Sequence, residues 1–183
     1  MTMDQNIEKL VWIDLEMTGL DYLRDKILQI AILITDTDLN LVEENGYVGY
    51  VKPGRKELNA MSDEVRAILA PSGVLDNAEK QGKSIELIEQ EALKYVSTYV
   101  PEKSAPLCGN TIATDRTFLT LQMPRLNSYL HYRNIDVTAI KQVFKMWGIG
   151  KEFSKNEVHE AMEDIKESIE ELRYYRGVVS EKS

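Results

Sequence analysis

An α/β layered domain with a mixed central sheet flanked by helices is the fold class predicted by the order of periodic segments. Three strand-like runs come first, and helical and strand-like runs alternate after residue 84. Residues 10–14 (LVWID) form an apolar β-like run, followed by strands at 27–35 and roughly 41–51, with turn-forming stretches at 19–24 and 36–40. Residues 52–82, with three glycines and two prolines, give the weakest signal of any segment. In 84–100, Ile85, Ile88, Ala92, Tyr95, Val96 and Tyr99 recur at helical spacing, and Pro101 stops the run. A short buried strand at 106–108 precedes helical segments at 115–122 and 125–130, a strand at 132–136 and a helix at 138–147. Residues 148–155 read as a flexible connection. The last helix carries an apolar stripe at Val158, Ala161, Ile165, Ile169, Leu172 and Tyr175, and Gly177 is placed to end it.

At 183 residues, one domain over 1–183 is expected, with 1–8 and 178–183 fraying. Hydrophobic residues make up 43% and charged residues 28%, and no stretch has the apolar length needed to span a bilayer. The opening residues lack the basic and apolar regions of a secretory signal, and the single cysteine, Cys108, cannot form an intrachain disulfide. A cytoplasmic protein without membrane contact is therefore expected. The net charge of −8 speaks against gripping long nucleic acids through a broad basic face. A short substrate with few phosphates needs few such contacts.

Asp14 and Glu16 stand two residues apart at the end of the first strand-like run, so their side chains project to one side. Paired acids set against a core are costly unless a cation joins them, and hard divalent cations prefer oxygen ligands. Asp115 follows a Gly-Asn turn after a short apolar strand, and His159 and Asp164 open the last helical run. Taken singly, each has an ordinary account. Asp115 suits a helix N-terminus, Asp164 a solvated acidic helix face, Asp136 a cap for the helix near Thr138, and His131 packing beside Tyr132. A spacing of five puts His159 and Asp164 about 140° apart on an ideal helix, so His159 is assigned to the loop or first turn and Asp164 to the helix.

In this order and at these separations the residues resemble the DEDDh exonuclease family and, within it, the oligoribonucleases, which degrade very short RNAs from their 3′ ends. The resemblance runs from about Leu10 to Arg176 and includes the blocks from Trp12 to Asp21, Cys108 to Asn110, His131 to Thr138 and Glu171 to Arg176. It implies an RNase H-like fold, a homodimer, and two divalent cations, Mg²⁺ or Mn²⁺. Asp14, Glu16 and Asp164 would hold the cation that activates water, with Asp14 also reaching the second and Asp115 supporting that second cation. His159 would take the proton from the attacking water, a role suited to a side chain that titrates near neutral pH. Leu20 would wedge against the bases. Thr111, Thr138 and, from the partner subunit, Arg133 would meet the 5′ phosphate of a dinucleotide.

One departure from the family pattern falls after Met61-Ser62-Asp63, where oligoribonucleases carry a base-stacking tryptophan and, five residues later, a histidine near the phosphate. A gap-free reading places Glu64 and Leu69 there. The expected function is a metal-dependent 3′-to-5′ exoribonuclease that hydrolyses short RNA, down to dinucleotides, to nucleoside 5′-monophosphates. A general single-strand 3′ exonuclease and a noncatalytic nucleic-acid-binding module on the same fold are the alternatives.

Overall fold

A computed structural model of the chain describes residues 7–151, 153 and 160–180. Its sheet comprises β1 (Lys9–Met17), β2 (Ile27–Asp36), β3 (Tyr47–Tyr50), β4 (Leu107–Gly109) and β5 (Asn134–Asp136), in the order β3-β2-β1-β4-β5. The pairs β1–β2 and β2–β3 are antiparallel hairpins, while β1–β4 and β4–β5 are parallel and require helical crossovers. The result is the mixed sheet expected from the sequence. Because β1, β4 and β5 run in one direction, their C-terminal ends, Met17, Gly109 and Asp136, share one edge of the sheet, where open α/β folds place ligands.

Strand alternation divides the core into two faces. Val11, Ile13 and Leu15 of β1 pack with Ile88, Ala92 and Val96 of α4 (Ile85–Tyr99), Phe118 and Leu119 of α5 (Ala113–Gln122) and Leu126 of α6 (Pro124–Tyr129). Leu10 and Trp12 face the other way, onto Val137 of α7 (Val137–Trp147) and Ala161, Ile165, Ile169 and Tyr175 of α8 (Ala161–Ser180). Trp12 is fully buried, and its indole N–H donates to Thr35 Oγ1 at 3.0 Å, so burial strands no donor. With helices on both faces, nine of the ten residues of β2 are buried.

Several boundaries differ from the sequence expectation. The first strand continues to Met17 and therefore carries both Asp14 and Glu16. The third is only Tyr47–Tyr50; Leu41 and Val51 make isolated bridges, and Gly46, at φ +67°, breaks the run with its N–H and that of Asn45 held by the Glu43 carboxylate. Residues 52–82 contain α1 (Arg55–Ala60), α2 (Asp63–Leu69) and α3 (Val74–Gln81), with Ser62 Oγ accepting from Val65 N–H to start α2. Helices of six to eight residues are too short to show a period; Leu69 of α2 and Val74 and Ala78 of α3 pack on Leu28 of β2, as does Met61 in the bend between α1 and α2, and this burial holds the helices in place. The fifth strand starts at Asn134 rather than 132, since only Asn134, Ile135 and Asp136 pair with β4.

α8 passes through Gly177 to Ser180, so Val178–Ser180 belong to the helix rather than to a frayed tail. A helical glycine costs about 1 kcal/mol relative to alanine, which the packing of one long helix against a sheet readily offsets. Val158, expected on the apolar stripe, lies outside the described residues.

Candidate active site

Asp14 and Glu16 project from the end of β1 onto the face that α8 covers, and Asp164 comes from the first turn of α8. One carboxylate oxygen from each lies within 4.8 Å of the other two. The registration of α8 brings this about. Asp164, Ser168, Glu171 and Tyr175 recur at spacings of four, three and four, which form one stripe along a helix. Asn110, just after β4, grips that stripe: its Nδ2 donates to Ser168 Oγ at 2.9 Å and to Glu171 Oε2 at 3.3 Å. Glu171 is 1% exposed, accepts from Tyr175 OH at 3.0 Å and stands 3.8 Å from Lys141 Nζ. Asn110→Ala takes an amide donor from this buried carboxylate and is expected to lower stability by about 1–3 kcal/mol in urea unfolding.

Asp115 reaches the same neighbourhood by replacing a missing strand. Val11 N–H donates to Pro106 carbonyl at 3.2 Å, but β4 ends at Gly109, so Leu15 N–H has no ladder partner farther along. Asp115 Oδ1 accepts it instead at 3.0 Å. Burial raises the Asp115 carboxyl above the ordinary carboxylate range, against the lowering effect of its backbone hydrogen bonds, and Asp136 adds to the rise. The Glu16 carboxyl is pushed up to about 8, first by burial and then by the charges of Asp164, Asp115 and Glu160. Acids crowded so that one resists ionisation form the donor set that a hard divalent cation fits. Glu160 is a residue the sequence reading missed. Its Oε2 accepts from Glu163 N–H at 3.1 Å and its carbonyl from Asp164 N–H at 3.0 Å, so it starts α8. His159, immediately before it, lies outside the described residues.

Of the substrate candidates, Leu20 is 74% exposed in the turn after β1. Asp25 holds that turn, accepting from Thr18 Oγ1 at 3.1 Å and Asp21 N–H at 2.8 Å. A Cβ on Gly19 would lie 2.4 Å from Asp25 Oδ2, which explains the glycine there. Thr111 and Thr138 are brought together at the ends of β4 and β5, with their hydroxyl oxygens 3.2 Å apart. Thr111 sits at φ +50°, held by its N–H donating to Thr138 Oγ1 at 3.0 Å and Asp136 Oδ1 at 3.1 Å. Asp136 also caps α7, accepting from Thr138 N–H at 2.9 Å. Arg133 immediately precedes β5, three residues before Asp136, with its guanidinium carbon 5.4 Å from the centre of the Tyr132 ring.

The chain matches the family described as Exonuclease over residues 11–172. The oligoribonuclease of Francisella tularensis subsp. novicida (strain U112) is 42% identical over 172 residues, covering 94% of this chain and 96% of that protein. The oligoribonuclease of Cutibacterium acnes is 45% identical over 174 residues, covering 93% and 85%. The chain belongs to the oligoribonuclease branch of the exonuclease family. Among solved structures, exonuclease I from Methylocaldum szegediense aligns with a TM-score of 0.71 at 20% identity, covering 92% of this chain and 40% of that one. E. coli exonuclease I in complex with a dA16 oligonucleotide aligns at 0.74 and 16% identity, covering 95% and 42%. At those identities the likeness is one of fold, and this chain spans about 40% of the length of the exonuclease I chain from Methylocaldum szegediense. The two positions at which the sequence departs from the pattern of the resemblance, Glu64 and Leu69, both lie on α2. Glu64 is exposed in its first turn, and Leu69 is 2% exposed in the cluster on Leu28, so Leu69 is a core residue.

Proposed function

We propose that this chain is a metal-dependent 3′-to-5′ exoribonuclease that hydrolyses short RNA, down to dinucleotides, to nucleoside 5′-monophosphates, acting as a cytoplasmic homodimer. The convergence of Asp164 with Asp14, which precedes it by 150 residues, and with Glu16 on one small volume carries the reading. Those three residues would hold one divalent cation, Mg²⁺ or Mn²⁺, and Asp14 with Asp115 a second. Bound there, such cations supply a more acidic water and neutralise charge on the phosphoryl oxygens.

The chain's own groups do the rest. Leu15 N–H fixes the Asp115 carboxylate, and Asn110 sets the rotation of the helix that bears Asp164. His159 takes the proton of the attacking water as its oxygen bonds to phosphorus. The bond from phosphorus to the 3′ oxygen breaks, that oxygen takes a proton from solvent while His159 returns its own to solvent, and the terminal residue departs as a 5′-monophosphate. Thr111 and Thr138 offer hydroxyls to a 5′ phosphate beside this centre, Leu20 meets the bases, and Arg133 of a second copy completes the phosphate contact. An arginine suits that position because its planar donors match phosphate oxygens.

Labelled RNA and DNA of two to twenty residues, incubated with Mn²⁺, test the proposal. Rates are expected to be highest on the shortest RNAs and to fall with length. Faster hydrolysis of the twenty-residue substrates would overturn the length assignment in favour of a general exonuclease. No hydrolysis of any substrate would leave a noncatalytic module.

A further inference from the structure

On the same face as the acids, β2 places Gln29 directly opposite Glu16 in the β1–β2 register. Gln29 is wholly buried, an unusual setting for a side chain with two donor hydrogens and an acceptor oxygen. One end of its amide is held: Nε2 donates to Tyr50 OH at 3.2 Å, and Asn77 Nδ2 of α3 approaches the same hydroxyl at 3.5 Å. Tyr50 is itself opposite Gln29 in the β2–β3 register, so Glu16, Gln29 and Tyr50 form a row across three strands, with Asn77 closing it at the sheet edge. The other end of the amide, Oε1, has no hydrogen-bond partner among the described residues.

A buried acceptor without a donor disfavours the fold unless something else occupies it. Its neighbour across the ladder is a carboxylate, which when ionised offers no hydrogen. The donor such a neighbourhood gains on binding a hard cation is the water that the cation carries, since Mg²⁺ in particular keeps several. The residues that orient a metal's own ligands and waters are commonly amides and carboxylates behind them.

We propose that Gln29 is a positioning residue for the cation held by Glu16: its buried carbonyl oxygen accepts from a water on that cation, and Tyr50 and Asn77 hold the amide in the required orientation. This rests on the metal site described above and extends it from the acids to a polar row reaching the β3 edge. Gln29 touches neither substrate nor the reacting atoms.

Isothermal titration of Mn²⁺ into the wild-type protein and Gln29→Met, with thermal unfolding of both in EDTA, tests it. Methionine keeps the length and removes the polar atoms. The expected result is Mn²⁺ affinity weakened about tenfold or more, with metal-free stability unchanged or higher because no acceptor is left unpaired. Wild-type affinity in Gln29→Met, within about twofold, would overturn the proposal, because a purely packing role moves stability and leaves metal binding alone. If Gln29→Met does not fold, Gln29→Glu decides: it retains acceptor oxygens, so it is expected to bind Mn²⁺ as tightly as wild type or tighter, and a tenfold loss would refute the role. Failure of the wild-type protein to bind Mn²⁺ at all would instead refute the metal site on which this inference depends.

Discussion

Asp164→Asn is expected to reduce Mn²⁺-dependent hydrolysis of a dinucleotide by about three orders of magnitude or more while leaving the fold intact. The substitution is nearly isosteric, but it removes one of three negative oxygens that lie within 4.8 Å. Its effect on stability has the opposite sign. Asp164 is the charge that most disfavours ionisation of Glu16, so the metal-free variant is expected to unfold at a higher temperature than the wild type, and Mn²⁺ to raise that temperature less. His159→Ala separates the two roles. It is expected to abolish turnover comparably but to keep Mn²⁺ binding, because the imidazole is assigned to the proton and not to the cation. Near-normal hydrolysis by Asp164→Asn would remove the central residue of the site.

Metal-free stability is expected to fall as pH rises from about 5 to about 8, by a few kcal/mol. The sign follows from proton counts. The Glu16 carboxyl loses its proton near its ordinary value of 4.5 in the unfolded chain but near 8 in the folded one, so between those values the folded state binds more protons. Raising pH through that window favours the unfolded chain. Asp115, also raised by burial, adds in the same direction. Asp21, Asp36 and Glu43, whose carboxyls are lowered by hydrogen bonds, act in acid below this window. A divalent cation takes the place of the proton, so stabilisation by millimolar Mn²⁺ is expected to grow over the same range. Thermal unfolding at several pH values, in EDTA and in Mn²⁺, measures both slopes. Metal-free stability that rises between pH 5 and 8 would contradict the burial of Glu16 among other acids.

Among the described residues no helix is long and apolar enough to cross a membrane, in line with the composition. The sequence was informative where a short-range rule applies. Alternation of side chains along a strand puts Asp14 and Glu16 on one face whatever the rest of the fold does. Asp136 could be recognised as a helix cap from its position alone, and it bonds Thr138 N–H at 2.9 Å. By contrast, nothing local separates Asp164 or Glu171 from the other acids of their helix. Resemblance to other sequences raised Asp164, and packing alone made Glu171 1% exposed. Glu160 and Gln29 carried no signal because their importance depends on neighbours distant in the chain.

By itself the sequence determined the layered α/β class, the common side of Asp14 and Glu16, and the family in which those acids occur. These follow from side-chain periodicity and from ordered blocks of residues, which need no coordinates. The tertiary structure alone decided that α8 turns Asp164 toward β1, that Asp115 completes a hydrogen bond abandoned by β4, and that residues 52–82 fold into three short helices. Each depends on long-range packing or on a backbone group left without a partner at the end of a strand, and neither is written in the period of any one segment.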